Sequence, residues 1–314
     1  MISIIICTYN RARYVYNVLK SLAENDFPRD GYEILLVNNN STDTTAEECE
    51  RFRKDYPGVC FRYLLETQQG LSYARNCGIR NAAGDLIIYV DDDAKACRDF
   101  LRTYAEFFSR MPEAEGAGGP VVPEYEDCEE PVWMSRYTQQ LVTGSLNLGE
   151  KECIFQRGKY PIGCNSAFRK AVFDRVGLFD VNLGRKGNNL IGSEEKDLFD
   201  KMSSQGMKFY YLPGAVLYHQ ICARKLTDAY FNELTYGIGV SERYRTQLIS
   251  RAKYAKRLFS EAVKWGGTLV LSAGYFLKGQ APKAKKLLIF RRNVTRGLLG
   301  LSLSTPPAAF GSRP

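Results

Sequence analysis

The sequence predicts an α/β protein: a mostly parallel sheet flanked by helices, followed by a basic helical extension. Three observations carry this. Apolar runs alternate with segments of helical period through the first ninety or so residues, as strands joined by crossover helices do. The most apolar runs each end in a polar cluster: Thr8-Tyr9-Asn10-Arg11, Asn38-Asn39-Asn40-Ser41-Thr42-Asp43 and Asp91-Asp92-Asp93. Charge is also divided unevenly. Arg251 to Arg296 holds 12 Lys/Arg against Glu261 alone, while the remainder holds 31 Lys/Arg and 34 Asp/Glu, within a net +8.

The 314 residues, 45% of them hydrophobic, suffice for one large or two modest cores, which excludes a disordered or fibrous chain. Ser3 to Cys7 reads as a first strand, since Met1-Ile2 carries no basic region of a signal peptide. A helix follows with Val15, Val18, Leu19 and Leu22 on one face. Next come a strand over Glu33 to Val37, a polar helix near Ala46 to Tyr56, and a strand over Phe61 to Leu65. Leu71 to Ala83 predicts a third helix, with Leu71, Ala74, Gly78 and Ile79 along one side, before the buried strand Leu86 to Val90.

Past Asp93 the pattern loosens. An aromatic helix carries Phe100, Leu101, Tyr104, Phe107 and Phe108, and leads to the glycine-rich Gly116-Ala117-Gly118-Gly119 and an acidic loop, Glu124 to Glu130. Pro161 to Phe168 is strand-like. Leu183 to Asn189 is rich in glycine and asparagine and predicts a mobile loop. Glu194 to Gln205 resumes as helix, followed by strands at Lys208 to Leu212 and Val216 to His219. From Leu226 the chain reads helical and basic. Trp265 to Leu277 is thirteen uncharged residues, short of the roughly 20 that span a bilayer. It fits a segment lying on an anionic leaflet, with Trp265, Tyr275 and Phe276 dipping in and flanking Lys/Arg on headgroups. The competing reading packs these helices on the rest of the protein with a solvated basic face. The nine cysteines are odd in number and scattered, with no C-x-x-C pair, which points to buried thiols in a reducing compartment and not to zinc.

The aspartate triplet is the sharpest chemical signal. Alternation along an extended chain sends Asp91 and Asp93 to one side and Asp92 to the other, which suits two oxygen ligands on one hard cation. As a helix start, with Ala94 to Phe108 helical, a cap would explain Asp93 but not three acids. If the strands are parallel, all three polar clusters emerge at one carboxyl edge, where open α/β sheets bind ligands. Glu194-Glu195 opens a helix and could simply complement its N-terminus. His219 is the only histidine, and a lone histidine is more often structural than a ligand.

Together these pieces resemble the family 2 glycosyltransferases with a Rossmann-like GT-A fold, over about Met1 to Gln220. The carrying residues are Ile5-Ile6-Cys7-Thr8-Tyr9-Asn10-Arg11, Val37 to Asp43, Gly70-Leu71-Ser72-Tyr73-Ala74-Arg75-Asn76-Cys77-Gly78-Ile79, the aspartate triplet, and Gly192-Ser193-Glu194-Glu195-Lys196-Asp197-Leu198. The resemblance implies a catalytic domain over 1–220, with a nucleotide-binding half (1–93) and an acceptor half (94–220), ahead of a helical 221–314. It implies that Thr8, Asn38, Arg75 and Asp91 or Asp92 contact the base and ribose, beside Tyr9, Asn10, Arg11, Asn40 and Asn76. Asp93 with Asp91, joined by His219, would hold a divalent cation, Mn2+ or Mg2+, on the diphosphate. The base falls at Glu195, with Glu194 the alternative and Asp197 structural. Gly163, Cys164 and Asn165 resemble the segment flanking the acceptor. Asn38 stands where the family commonly has an aspartate gripping the base, so a UDP-sugar is only the default donor.

The expected activity is inverting, metal-dependent transfer of a sugar to a saccharide acceptor, lipid-linked, in cell-surface polysaccharide or glycan synthesis. The expected place is cytoplasmic, or peripheral at the inner face of the plasma membrane. A nucleotidyltransferase would share the acidic metal site but should carry a basic glycine-rich phosphate loop, which Thr8-Tyr9-Asn10-Arg11 lacks. A nucleic-acid-binding protein would use the basic tail but gives no reason for Asp91 to Asp93, so nucleic acid is not an expected partner.

Overall fold

A computed structural model describes residues 1–156, 158–187 and 192–303. The strands and helices of the first part are β1 (Ile2–Thr8), α1 (Ala12–Ala23), β2 (Tyr32–Asn38), α2 (Thr45–Asp55), β3 (Phe61–Leu65), α3 (Leu71–Asn81) and β4 (Leu86–Asp91). Then come β5 (Ala94–Ala96), α4 (Phe100–Arg110), β6 (Gly116–Gly118), β7 (Val121–Glu126), α5 (Arg136–Thr143), β8 (Cys153–Ile154), β9 (Asn165–Arg169) and α6 (Ala171–Val176). The chain closes with α7 (Glu194–Ser204), β10 (Phe209–Tyr211), β11 (Leu217–Cys222), α8 (Asp228–Ile249), α9 (Arg251–Leu277) and α10 (Ala281–Leu299).

The main sheet has the order β3-β2-β1-β4-β9-β6-β10-β8. Its first four strands run parallel, and β9 is antiparallel to both β4 and β6. Central β1 explains the pattern: Ile2, Ile4, Ile5 and Ile6 are all buried, as a strand covered on both faces requires. β11 lies between β5 and β7 in a second, three-stranded sheet.

The chain divides into two compact units. Among the described residues, the first comprises those of 1–124, 144–187 and 194–220, and the second comprises 125–143, 192–193 and 221–303. In the first, one apolar core runs through the main sheet, from Val15, Val18, Leu19 and Leu22 of α1 to Leu198, Phe199 and Met202 of α7. In the second, α8, α9 and α10 pack on one another, and Met134, Val142 and Phe231 form a separate small core.

Three readings of the sequence are corrected. Ala94 to Phe108 is not one helix: Ala94 to Ala96 pair with His219, Tyr218 and Leu217, and the helix starts only at Phe100. A cap role for Asp93 falls with it. The acidic stretch is not all loop, because its first residues, Glu124 to Glu126, belong to the strand Val121–Glu126. The glycine-rich stretch hides β6, in which a Cβ on Gly116 would lie 2.9 Å from the Phe209 ring. Aromatic side chains occupy the space that β6 leaves free, so its composition concealed a strand. Part of the loop expected over Leu183 to Asn189 lies outside the described residues. Among the described residues no disulfide joins the nine cysteines, and no helix is long and apolar enough to cross a membrane.

Candidate active site

The parallel register sets the ends of β1, β2, β3 and β4 nearly level. Thr8 pairs with Asn38, Asn38 with Leu65, and Cys7 with Asp91. The predicted carboxyl edge therefore exists, and its loops are tied together. Asn10 and Asn40 take left-handed backbones, φ 52° and 63°, which asparagine tolerates better than most residues. Asn10 Oδ1 accepts from the Thr42 amide at 2.7 Å, and the Asn10 amide donates to Ser41 Oγ at 2.9 Å. Asn38 Oδ1 accepts from the Ser41 amide at 2.8 Å, while its Nδ2 donates to the Tyr63 hydroxyl at 2.7 Å. Asn10 and Asn38 thus shape the edge with their side chains. Tyr9 and Arg11 are half-buried there, and Asn40 is exposed.

The three aspartates part company at this edge. Asp92 is buried and accepts from Thr8 Oγ1 at 2.8 Å. Arg11 reaches Asp92 at 3.0 Å and Asp93 at 2.6 Å, one guanidinium across two carboxylates. Burial pushes the Asp92 carboxyl up to about 6, with Arg11 pulling it down and Asp93 pushing it further up. On the other side, Asp93 Oδ1 lies 3.3 Å from His219 Nε2. The strand pairing of His219 with Ala94, and the Gln220 amide donating to the Asp93 carbonyl at 2.8 Å, fix that approach. One ligand atom from each of Asp91, Asp93 and His219 lies within 4.8 Å of the others. Two carboxylates and an imidazole are a donor set that Mn2+ or Mg2+ accepts, with the nitrogen favouring Mn2+.

A second acidic pair is built around Arg75 of α3. Its guanidinium is buried, over the rings of Phe179 and Tyr89, and contacts Glu194 at 3.0 Å and Glu195 at 2.5 Å. Burial pulls the Arg75 guanidinium down, but the charges of Glu195, Glu194 and Asp91 outweigh it and hold it above its ordinary value. The two glutamates differ in access. Glu194 is buried, and burial pushes its carboxyl up against the pull of Arg75, whereas the Glu195 side chain remains 33% exposed. Both open α7, where the helix dipole favours negative charge. Gly163 lies against this carboxylate so closely that a Cβ there would fall 1.7 Å from Glu195 Oε1.

Several expected site residues are turned elsewhere. Arg75 spends its side chain on the glutamates. The Asn76 amide is buried and clamps the Phe179 backbone, donating at 2.9 Å and accepting at 3.0 Å. Cys164 sits in the core. Asn165 is fully buried, donating to the carbonyls of Pro120 and Ala215 and accepting from Tyr104. Of the acceptor-side triplet, Gly163 alone touches the acidic pair. Asp197 pairs with Lys201 one turn along α7, at 2.7 Å. Arg185 went unnoticed in the sequence. Its charge draws on Glu194, and its carbonyl accepts from the Leu71 amide at 2.9 Å. A cation in a glycine-rich loop shortly before paired glutamates was the available signal.

The family model described as glycosyl transferase family 2 matches residues 3–177, more than half of the chain. The chain is 25% identical over 264 residues to a glucosyl-dolichyl phosphate glucuronosyltransferase of Haloferax volcanii, covering 82% of this chain and 81% of that protein. A Methanococcus voltae dolichyl N-acetyl-α-D-glucosaminyl phosphate 3-β-D-2,3-diacetamido-2,3-dideoxy-β-D-glucuronosyltransferase is 30% identical over 158 residues, 49% of each chain. Among solved structures, the mannosyltransferase PcManGT of Pyrobaculum calidifontis superposes with a TM-score of 0.59 at 17% identity, covering 95% of this chain and 87% of that one. Residues 1–349 of TarS from S. aureus give 0.54 at 17% identity, covering 95% and 91%. These likenesses place the architecture among GT-A folds. With the family model matched along the strands and helices that build the acidic edge, the chain belongs to glycosyl transferase family 2 and is a glycosyltransferase.

Proposed function

We propose that the enzyme is an inverting, divalent-metal-dependent transferase that moves a sugar from a nucleotide-sugar to a lipid-linked saccharide acceptor at the cytoplasmic face of a membrane. The observation that carries this is the pairing, within one unit, of the Asp91, Asp93 and His219 cluster with a glutamate pair whose arginine senses Asp91. Residues 1–220 are the proposed catalytic part. Its nucleotide pocket would be the β1 and β2 edge, with Thr8, Tyr9, Arg11 and Asp92 facing the nucleoside and Asn10, Asn38 and Asn40 shaping the loops. A Mn2+ or Mg2+ ion on Asp91, Asp93 and His219 would supply positive charge to a departing diphosphate.

Glu195 is the proposed base. It is the more accessible glutamate, its side chain 33% exposed, and Arg75 at 2.5 Å holds its carboxylate in place. It would receive the acceptor hydroxyl proton as that oxygen attacks the anomeric carbon opposite the leaving nucleotide, so configuration inverts. Glu194, buried behind it, positions Arg75. The lipid-linked acceptor is supported by the relatives named for dolichyl phosphate-linked sugars. TarS is solved with UDP and PcManGT with GDP-Man and Mn2+, which makes UDP- and GDP-sugars the first donors to try.

Nucleotide release from a panel of such donors, with Mn2+ and a polyprenyl-phosphate-linked saccharide, tests the reading. Glu195→Gln should lower transfer about 10²- to 10⁴-fold while keeping the nucleotide-dependent rise in melting temperature. Asp93→Ala should lose both transfer and the Mn2+-dependent part of that rise. Full transfer by the glutamine variant would move the base elsewhere.

A further inference from the structure

α9 is built inside out. Its buried positions are polar: Glu261, Thr268 and Ser272 are 3%, 7% and 3% exposed. Each is satisfied there. Glu261 accepts from Arg257 at 2.8 Å and Arg291 at 3.0 Å, Arg291 also donates to Thr268 at 3.3 Å, and Ser272 donates to the Ala284 carbonyl at 3.4 Å. One outward stripe is apolar: Phe259, Val263, Val270 and Leu277 are 73%, 61%, 73% and 90% exposed. Their spacing of four, seven and seven residues aligns them on one face of the helix. A helix meeting water has the opposite polarity, and an apolar stripe of this length marks a surface that something else covers.

Charge decides between occupants. Lys256, Lys264 and Lys278 are exposed beside the stripe, and Lys285 and Arg292 are exposed on α10. Glu261 is the only acid of α9 and α10, and it is buried, so the charge these helices turn outward is positive throughout. A second copy would set cations against cations. A cavity of about 440 Å³ opens at the C-terminal end of the stripe, with Arg136, Tyr137, Tyr275 and Lys278 around Val270 and Leu271. Two cations and two phenols over an apolar floor suit a phosphate ester attached to hydrocarbon.

We propose that this face of α9 lies in the plane of an anionic phospholipid surface, its apolar stripe among the acyl chains and the cavity on a headgroup phosphate. Of the aromatic residues that the sequence put forward, Phe276 is 45% exposed. Trp265 is held back by donating to Thr295 at 2.9 Å, and Tyr275 is half-buried. The inference stands apart from the catalytic reading, because the measurement needs neither donor nor acceptor.

The full chain is floated with vesicles of phosphatidylcholine, alone or mixed with phosphatidylglycerol. Binding should require phosphatidylglycerol and weaken with salt. The double variant Val270→Glu, Leu277→Glu should lower the bound fraction about tenfold or more at an unchanged melting temperature. Thr268→Val, on the inward side, should leave binding as it is. The proposal is overturned if the full chain stays unbound, or binds both vesicle types equally. It also fails if the double variant floats like the parent, or if light scattering finds a dimer that this variant splits.

Discussion

At the scale of residues, the site depends on unequal neighbours for chemically similar groups. Asp92 and Asp93 share Arg11, yet Asp92 turns to Thr8 and Asp93 to His219. Glu194 and Glu195 share Arg75, yet one is buried and the other reaches outward. Gly163 sets where the outward carboxylate can rest. Gly163→Ala puts a methyl group where Glu195 Oε1 now lies, and because a flexible side chain can swing away, the cost falls on position more than on folding. Transfer should drop about 100-fold, as displacement of about 1 Å commonly costs, with the melting temperature nearly unchanged. Parallel assays of turnover and thermal unfolding check this; loss of both together would mean that the glycine serves the fold.

At the scale of elements, α9 and α10 are joined by an ionic cluster in place of an apolar seam. Burial alone would raise the Glu261 carboxyl, but the hydrogen bond from Arg257 and the charges of Arg291 and Arg257 win and hold it below its ordinary 4.5. A carboxylate lowered in the fold adds stability that is fully present above pH 4.5 and is lost as pH falls through the folded value. Near neutral pH, Glu261→Gln should destabilise the C-terminal helices by about 3 kcal/mol, since it leaves buried cations without their carboxylate. The gap in melting temperature between parent and variant should narrow as pH falls below 4.5. A gap of the same size at both pH values would show that the carboxylate contributes no ionic stability.

At the scale of the molecule, the compact units do not follow the linear sequence. The first ends at Gln220, but residues 125–143 group with the C-terminal helices. Within that second unit, Trp133 meets Phe231 edge-on at 5.5 Å, and Lys286 lies 4.1 Å from the Trp133 ring centre. A chain cut after Gln220 keeps Trp133, Met134 and Val142 but loses Phe231, Ile289 and Phe290. The truncated protein should therefore expose an apolar patch and elute as aggregates in size-exclusion chromatography. A monodisperse monomer that does not bind a hydrophobic dye would show that residues 125–143 hold together without those helices.

The sequence by itself determined the class of fold and the family. Apolar runs such as Ile4 to Ile6 and Ile34 to Val37 read as strands covered on both faces, and the polar tips of parallel strands must share an edge. It also located the acids, because paired carboxylates beside a strand end have few purely structural uses. Tertiary structure alone decided how those acids divide their partners, that Asn76 and Asn165 serve the scaffold, and that Arg75 faces Glu194 and Glu195. It decided as well that α9 faces outward with its apolar side. Each of these depends on which distant side chain arrives at a given point, up to 120 residues away for Arg75 and Glu195, and no local periodicity encodes that.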